Sequence, residues 1–113
     1  DLVHVNAIAP LAATRMTENL MPPEILAKIQ PEAVSPAALY LVSEGAPTNV
    51  ILNAGGGGFE ASHVTITPGI HADGDALTPE TVAARIADIR DRNGEIVAEN
   101  GAAQGQMALA GAR

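Results

Sequence analysis

Leu2-Val3-His4-Val5-Asn6-Ala7-Ile8-Ala9-Pro10-Leu11-Ala12-Ala13-Thr14-Arg15-Met16-Thr17 is the stretch whose reading decides the fold. Its apolar, β-branched start has no turn or cap before it, which predicts a strand buried on both faces inside a parallel sheet. His4 on such a strand reads as a hydrogen-bonded core histidine. A strand of this kind needs neighbours on both sides, so the chain is expected to open in the middle of a larger α/β fold. As an isolated sheet edge it would template aggregation.

Composition narrows the setting. Hydrophobic residues make up 47% of the 113 positions but aromatics only 2%, namely Tyr40 and Phe59, so an aliphatic, Ala-rich core in helix-on-sheet layers is expected. The net charge of −7, with Lys28 the sole lysine, argues against tracking the phosphates of nucleic acid or anchoring on an anionic membrane. The absence of Cys excludes disulfide and thiol chemistry. With no long apolar run and no signal-peptide pattern, a cytoplasmic protein is expected.

Working outward, Thr14 is expected to cap a short helix carrying Met16 and Leu20. Pro22-Pro23-Glu24 starts another, with Ile25, Leu26 and Ile29 on one face and Pro31 as its stop. Ser35-Pro36 repeats the cap-and-proline signal ahead of Ala37-Ala38-Leu39-Tyr40-Leu41-Val42, which is apolar nearly all round and predicts a helix packed on more than one side until Gly45. Val50-Ile51-Leu52 reads as a strand, and Gly55 to Gly58 as a turn or a close-approach loop. Val64 and Ile66 alternate with His63 and Thr65, the pattern of a strand with one wet face. Thr78-Pro79-Glu80 starts a helix with Val82, Ile86 and Ile89 on one stripe, an Asp88–Arg92 pair and Asn93-Gly94 as the stop. After Glu95 no period persists, so residues 94–113 are expected to form a flexible or weakly docked tail.

Two further signals point to weaker chemistry. The glycine run lacks a following Lys-Ser/Thr and a complete Gly-x-Gly-x-x-Gly, which favours a turn over a phosphate cradle. His71, Asp73 and Asp75 alternate oxygen and imidazole groups, but no further acidic ligand follows at calcium-loop spacing, so a solvated loop rather than a metal site is expected.

Val5-Asn6-Ala7-Ile8-Ala9-Pro10 followed by Thr14-Arg15-Met16-Thr17 resembles the sixth strand and following loop of short-chain dehydrogenases/reductases. Pro31 to Pro36 entering an apolar helix, Val50 to Gly58, and Thr78 to Val82 are similar to the C-terminal part of the (3R)-hydroxyacyl-CoA dehydrogenase unit of multifunctional enzymes and their bacterial relatives. The resemblance spans about residues 2–93. It implies the C-terminal portion of a doubly wound, parallel, Rossmann-type sheet, with a lid of short helices and a C-terminal extension.

The same resemblance implies a parent enzyme that uses NAD or NADP to interconvert 3-hydroxyacyl and 3-oxoacyl thioesters. Pro10, Leu11 and Ala13 would give shape and backbone contacts to the nicotinamide carboxamide, and Thr14 a hydroxyl. Leu11 stands where the wider family has Gly, and Thr14 lies four positions past Pro10, a spacing that favours the multifunctional-enzyme branch. Met16, Leu20, Met21, Ile25 and Leu26 would line an acyl chain. The family's catalytic Tyr has a Lys four residues on, whereas Tyr40 is followed by Glu44, so no catalytic residue is assigned and the chain alone is expected to be inactive. Assembly as a homodimer or homotetramer would use Pro36 to Ser43 and Val50 to Ala54. The competing expectation is a non-catalytic oligomerisation or binding module derived from the same fold.

Overall fold

The computed structural model describes residues 3–110, which divide after His63 into two compact units. In the first, β1 (Ala7–Pro10) pairs in parallel with β2 (Ile51–Gly55), which pairs antiparallel with β3 (Gly58–Ser62). The sheet is therefore mixed, in the order β1-β2-β3, where an all-parallel one was expected. The parallel pair is joined by a long crossover carrying α1 (Pro23–Leu26), a 3-10 turn (Pro31–Ala33) and α2 (Ser35–Leu41), as parallel strands require.

The expected turn at the glycine run is present, and it reverses the chain. Gly56 and Gly57 have φ of 60° and 88°, the left-handed conformation that a two-residue hairpin loop needs and that glycine adopts without strain. What the sequence concealed was the second strand of that hairpin. Gly58-Phe59-Glu60-Ala61-Ser62 contains a single strong strand former, and β2 supplies the pairing that local propensity lacks.

Several expectations are corrected in this unit. Val3, His4 and Val5 lie outside β1 and are exposed, so His4 is not a core histidine; Leu2 lies outside the described residues. β1 is itself exposed at all four positions, because among the described strands it has a neighbour on one side only. Thr14 to Leu20 form successive turns rather than a helix. The Thr17 hydroxyl accepts the Thr14 N–H at 2.9 Å and donates to the Ala12 carbonyl at 3.0 Å, offering the backbone a local alternative to helical bonding.

α1 stops at Leu26, and Gln30 is already extended (ψ 145°), as the residue before Pro31 is biased to be. Ser35 is the first residue of α2 rather than its cap, which is Val34. The helix forms where expected but is not enclosed: Ala37 is buried, while Leu39, Tyr40 and Val42 are 69%, 51% and 82% exposed. The buried apolar side chains among the described residues are Ile29, Ala37, Ala46 and Ala54.

In the second unit, β4 (Thr65–Ile66) pairs antiparallel with β5 (Ile96–Val97). The expected long helix breaks at Arg85 into α3 (Pro79–Ala84) and α4 (Ile86–Ile89), and α5 (Ala102–Ala110) follows β5. Residues 94–113 thus contain a strand and a helix that periodicity did not disclose; Ala, Gln, Met and Leu give α5 good intrinsic propensity without an apolar stripe. Thr78 caps α3 as expected, its hydroxyl accepting the Thr81 N–H at 3.1 Å. Asp88 pairs with Arg85 at 2.7 Å instead of Arg92, and Arg92 pairs with Glu95 at 2.8 Å.

Glu95 also accepts the Thr65 hydroxyl at 3.0 Å, so one carboxylate joins β4 to the turn before β5. The hydrogen bonds from Arg92, followed by that from Thr65, hold its carboxyl below the usual range. A depressed carboxyl contributes stability above its unfolded-state pKa and loses it as pH falls through the folded value. Urea unfolding should therefore show Glu95→Gln less stable than the parent protein at neutral pH, with the difference closing on acidification. Thr78→Ala should cost about 1 kcal/mol in the same assay, the usual effect of losing a helix cap.

Candidate functional site

The site grows from the end of β1. Pro10 is paired in register with Ala54, and the next residue keeps following β2: the Leu11 N–H donates to the Ala54 carbonyl at 2.8 Å. Leu11 then lies directly on Gly55. A Cβ built at Gly55 would sit 2.6 Å from the Leu11 Cβ and collide with its carbonyl oxygen, so only glycine allows this approach. Two residues on, the Ala13 N–H donates to the Ile29 carbonyl at 2.7 Å. Ile29 is buried, and its Cγ2 lies 3.4 Å from where a Gly56 side chain would begin. Gly55 and Ile29 thus hold the Leu11-Ala12-Ala13 backbone from two directions.

Further back, Asn6 sets the register of the same pair of strands. Its side-chain amide donates to the Pro47 carbonyl at 2.8 Å and its oxygen accepts the Val50 N–H at 2.9 Å. Asn49, between them, has φ of 63° and donates its N–H to the Val5 carbonyl at 2.8 Å. An amide with both a donor and an acceptor is the group that can satisfy both bonds at once.

Beyond Ala13, the exposed Thr14 accepts the Met16 N–H on its hydroxyl at 3.2 Å. A hydroxyl used as an acceptor keeps its proton to donate, and this one has no acceptor among the described residues. Ala13, Thr14, Glu18 and Leu26 line a shallow cleft of about 190 Å³. Of the residues expected to meet at the site, the structure thus brings together Ala13, Thr14 and Leu26. Met16 and Leu20 are 86% and 74% exposed, Ile25 is 40% exposed, and Met21 is partly covered.

Two residues were missed. Glu18 reaches the cleft because it lies one turn beyond Thr14, whose carbonyl accepts the Glu18 N–H at 3.0 Å; the spacing of four was the available signal. Ala12 was passed over between Leu11 and Ala13, yet its N–H has no acceptor among the described residues, while those of Leu11 and Ala13 are bonded inside the fold. No sequence pattern announces that difference, because it depends on which carbonyls Ala54 and Ile29 present.

Elsewhere, His71 Nδ1 lies 3.2 Å from the Ala108 carbonyl, and among the described residues no three His, Asp or Glu side chains gather closely enough to hold a metal ion. No helix of the described residues is long and apolar enough to cross a membrane. A larger groove of about 600 Å³ in the second unit is apolar, with Ile70, Leu77, Val82 and Ile89 among its lining.

No family model matches the chain. It is 40% identical over 97 residues to the short-chain type dehydrogenase/reductase Rv0148 of Mycobacterium tuberculosis, an alignment covering 85% of this chain and 34% of that protein. It is 38% identical over 96 residues to the peroxisomal hydratase-dehydrogenase-epimerase of Saccharomyces cerevisiae, covering 80% of this chain and 11% of the relative. A third relative, peroxisomal multifunctional enzyme A of Dictyostelium discoideum, is 35% identical over 88 residues, covering 77% of this chain and 20% of its own length.

The fold matches part of full-length peroxisomal multifunctional enzyme type 2 from Drosophila melanogaster with a TM-score of 0.75. That match covers 96% of this chain and 20% of the solved one; at 19% identity it shows the α/β fold alone. The chain therefore spans about a third of the mycobacterial relative and less of the others. The resemblance read from the opening strand and loop is borne out: the homologues are a short-chain dehydrogenase/reductase and peroxisomal multifunctional enzymes.

The contact between Leu11 and Gly55 gives a direct check on this geometry. Gly55→Ala should destabilise the protein by about 1 to 3 kcal/mol, the usual cost of forcing extra atoms into a filled site. Gly45→Ala meets nothing within 4 Å and should be close to neutral under the same urea titration.

Proposed function

We propose that this chain, homologous to part of a short-chain dehydrogenase/reductase, is the C-terminal portion of an NAD(P)-dependent enzyme that interconverts 3-hydroxyacyl and 3-oxoacyl thioesters. The parallel β1–β2 pair would belong to a larger doubly wound, Rossmann-type sheet. Residues 1–93 would form the C-terminal part of the dehydrogenase domain, with residues 94–113 as its extension. The observation that carries this is the clamped loop after β1, which leaves the Ala12 N–H and, two residues on, the Thr14 hydroxyl without acceptors among the described residues.

A nicotinamide carboxamide presents one acceptor and two donors, and its orientation decides which ring face is offered for hydride transfer. Pro10, Leu11 and Ala13 would shape the wall, now more by backbone position than by free N–H groups. Ala12 and Thr14 would donate to the carboxamide oxygen. NAD or NADP, when bound, supplies the hydride chemistry; the chain's own part is to hold the ring and exclude water.

The turns from Thr14 to Leu20 together with α1 would act as a substrate-side lid, with Leu26 at the cleft and Met16, Leu20, Met21 and Ile25 available to meet an acyl chain. No Tyr with a Lys four residues on occurs in the sequence, so residues 1–113 by themselves should show no turnover. The enzyme would work in the cytoplasm as a homodimer or homotetramer, without nucleic acid or membrane partners. A non-catalytic assembly module is the second reading, favoured by the exposed Leu39 and Tyr40 of α2 and Val42 just after it.

The test is a dehydrogenase assay on the full-length protein with 3-hydroxyacyl-CoA and either nicotinamide cofactor. Turnover is expected, and Thr14→Val should raise the cofactor KM roughly fivefold, the effect of losing one hydrogen bond worth about 1 kcal/mol. Thr14→Ser should restore it. Stable oligomers with neither turnover nor cofactor binding would support the assembly reading instead.

A further inference from the structure

We propose that Asn93 is a site of spontaneous deamidation, set ahead of the other Asn-Gly pair, Asn100-Gly101, by the local fold. The reaction needs an asparagine whose side-chain carbonyl carbon can be reached by the next residue's main-chain nitrogen. Glycine in that next position puts no side chain in the way. Both pairs satisfy the sequence requirement. Their surroundings differ.

Asn93 and Gly94 are both exposed in the turn between α4 and β5. The turn is closed by the bond from the Glu95 N–H to the Arg92 carbonyl at 3.0 Å, which passes over the two central residues. Among the described residues the Gly94 N–H has no acceptor and the Asn93 side chain no partner; the Asn93 main-chain N–H donates to Asp91 at 3.0 Å. The nucleophile and the electrophile are therefore both uncommitted. Asn100, by contrast, caps the turn into α5, its side-chain oxygen accepting the Ala102 N–H at 2.9 Å while its carbonyl accepts the Ala103 N–H at 3.2 Å. Reaction there must first break a cap.

In the step itself, the Gly94 nitrogen forms a bond to the Asn93 side-chain carbonyl carbon, loses its proton, and ammonia leaves. Water then opens the resulting five-membered imide at either carbonyl, giving aspartate or isoaspartate. The isoaspartate product carries an extra main-chain methylene between Arg92 and Glu95, the residues whose two bonds of 2.8 Å sit across this turn. Glu95 in turn holds Thr65 of β4, so the modification would loosen the β4–β5 pairing.

The experiment ages the full chain in mildly alkaline buffer, natively and in urea, and follows each Asn-Gly peptide by mass spectrometry with fragmentation that separates aspartate from isoaspartate. In the native protein the Asn93 peptide should convert several-fold faster than the Asn100 peptide. In urea, where the cap at Asn100 is gone, the two rates should approach each other. Asn93→Gln should abolish conversion at that peptide and leave the Asn100 rate unchanged. Equal native rates, or faster conversion at Asn100, would overturn the proposal.

Discussion

Leu11 can lie on β2 because Gly55 has no side chain, and the candidate site depends on that approach. With a Cβ at Gly55 the loop after β1 would have to lift, the bond from Leu11 to Ala54 would open, and Ala13 would lose its position under Ile29. The glycines that follow serve a different purpose at short range, turning β2 into β3 through two left-handed residues. One short run thus combines a steric allowance for a neighbouring loop with the geometry of a hairpin.

Much of the fold was legible where the signals are local. Pro and Gly punctuation placed α2, the hairpin turn and the start of α3, and Thr78 caps α3 by the bond its position implies. Non-local features were not legible. β3 has a single strong strand former, and β5, though Ile-Val, is only two residues long with no alternation to mark it, so both depend on their pairing with β2 and β4. The segment after Ala13 was read as a helix because apolar residues recur in it, but Thr14 and Thr17 bind their own backbone and hold it in turns.

The site was readable as a location and less so as a set of contacts. Pro10 to Thr14 could be singled out from the sequence, yet which main-chain groups remain free depends on carbonyls more than ten residues away, at Ile29 and Ala54. This shifts attention from Leu11 and Ala13 to Ala12 and Thr14. The exposure of β1 and of the outer side of α2 belongs with the same picture, since the homologues extend well beyond the matched region. Leu39 and Tyr40 of α2 and Val42 just after it leave an apolar surface in solvent, the kind of patch that marks an interaction site.

The most direct measurement is a structure of the full-length protein with NAD(P) bound. The carboxamide oxygen should lie about 3 Å from the Thr14 hydroxyl or the Ala12 nitrogen, with Leu11 still seated on Gly55. A nicotinamide ring bound away from the loop after β1, with that loop unchanged, would contradict the central claim.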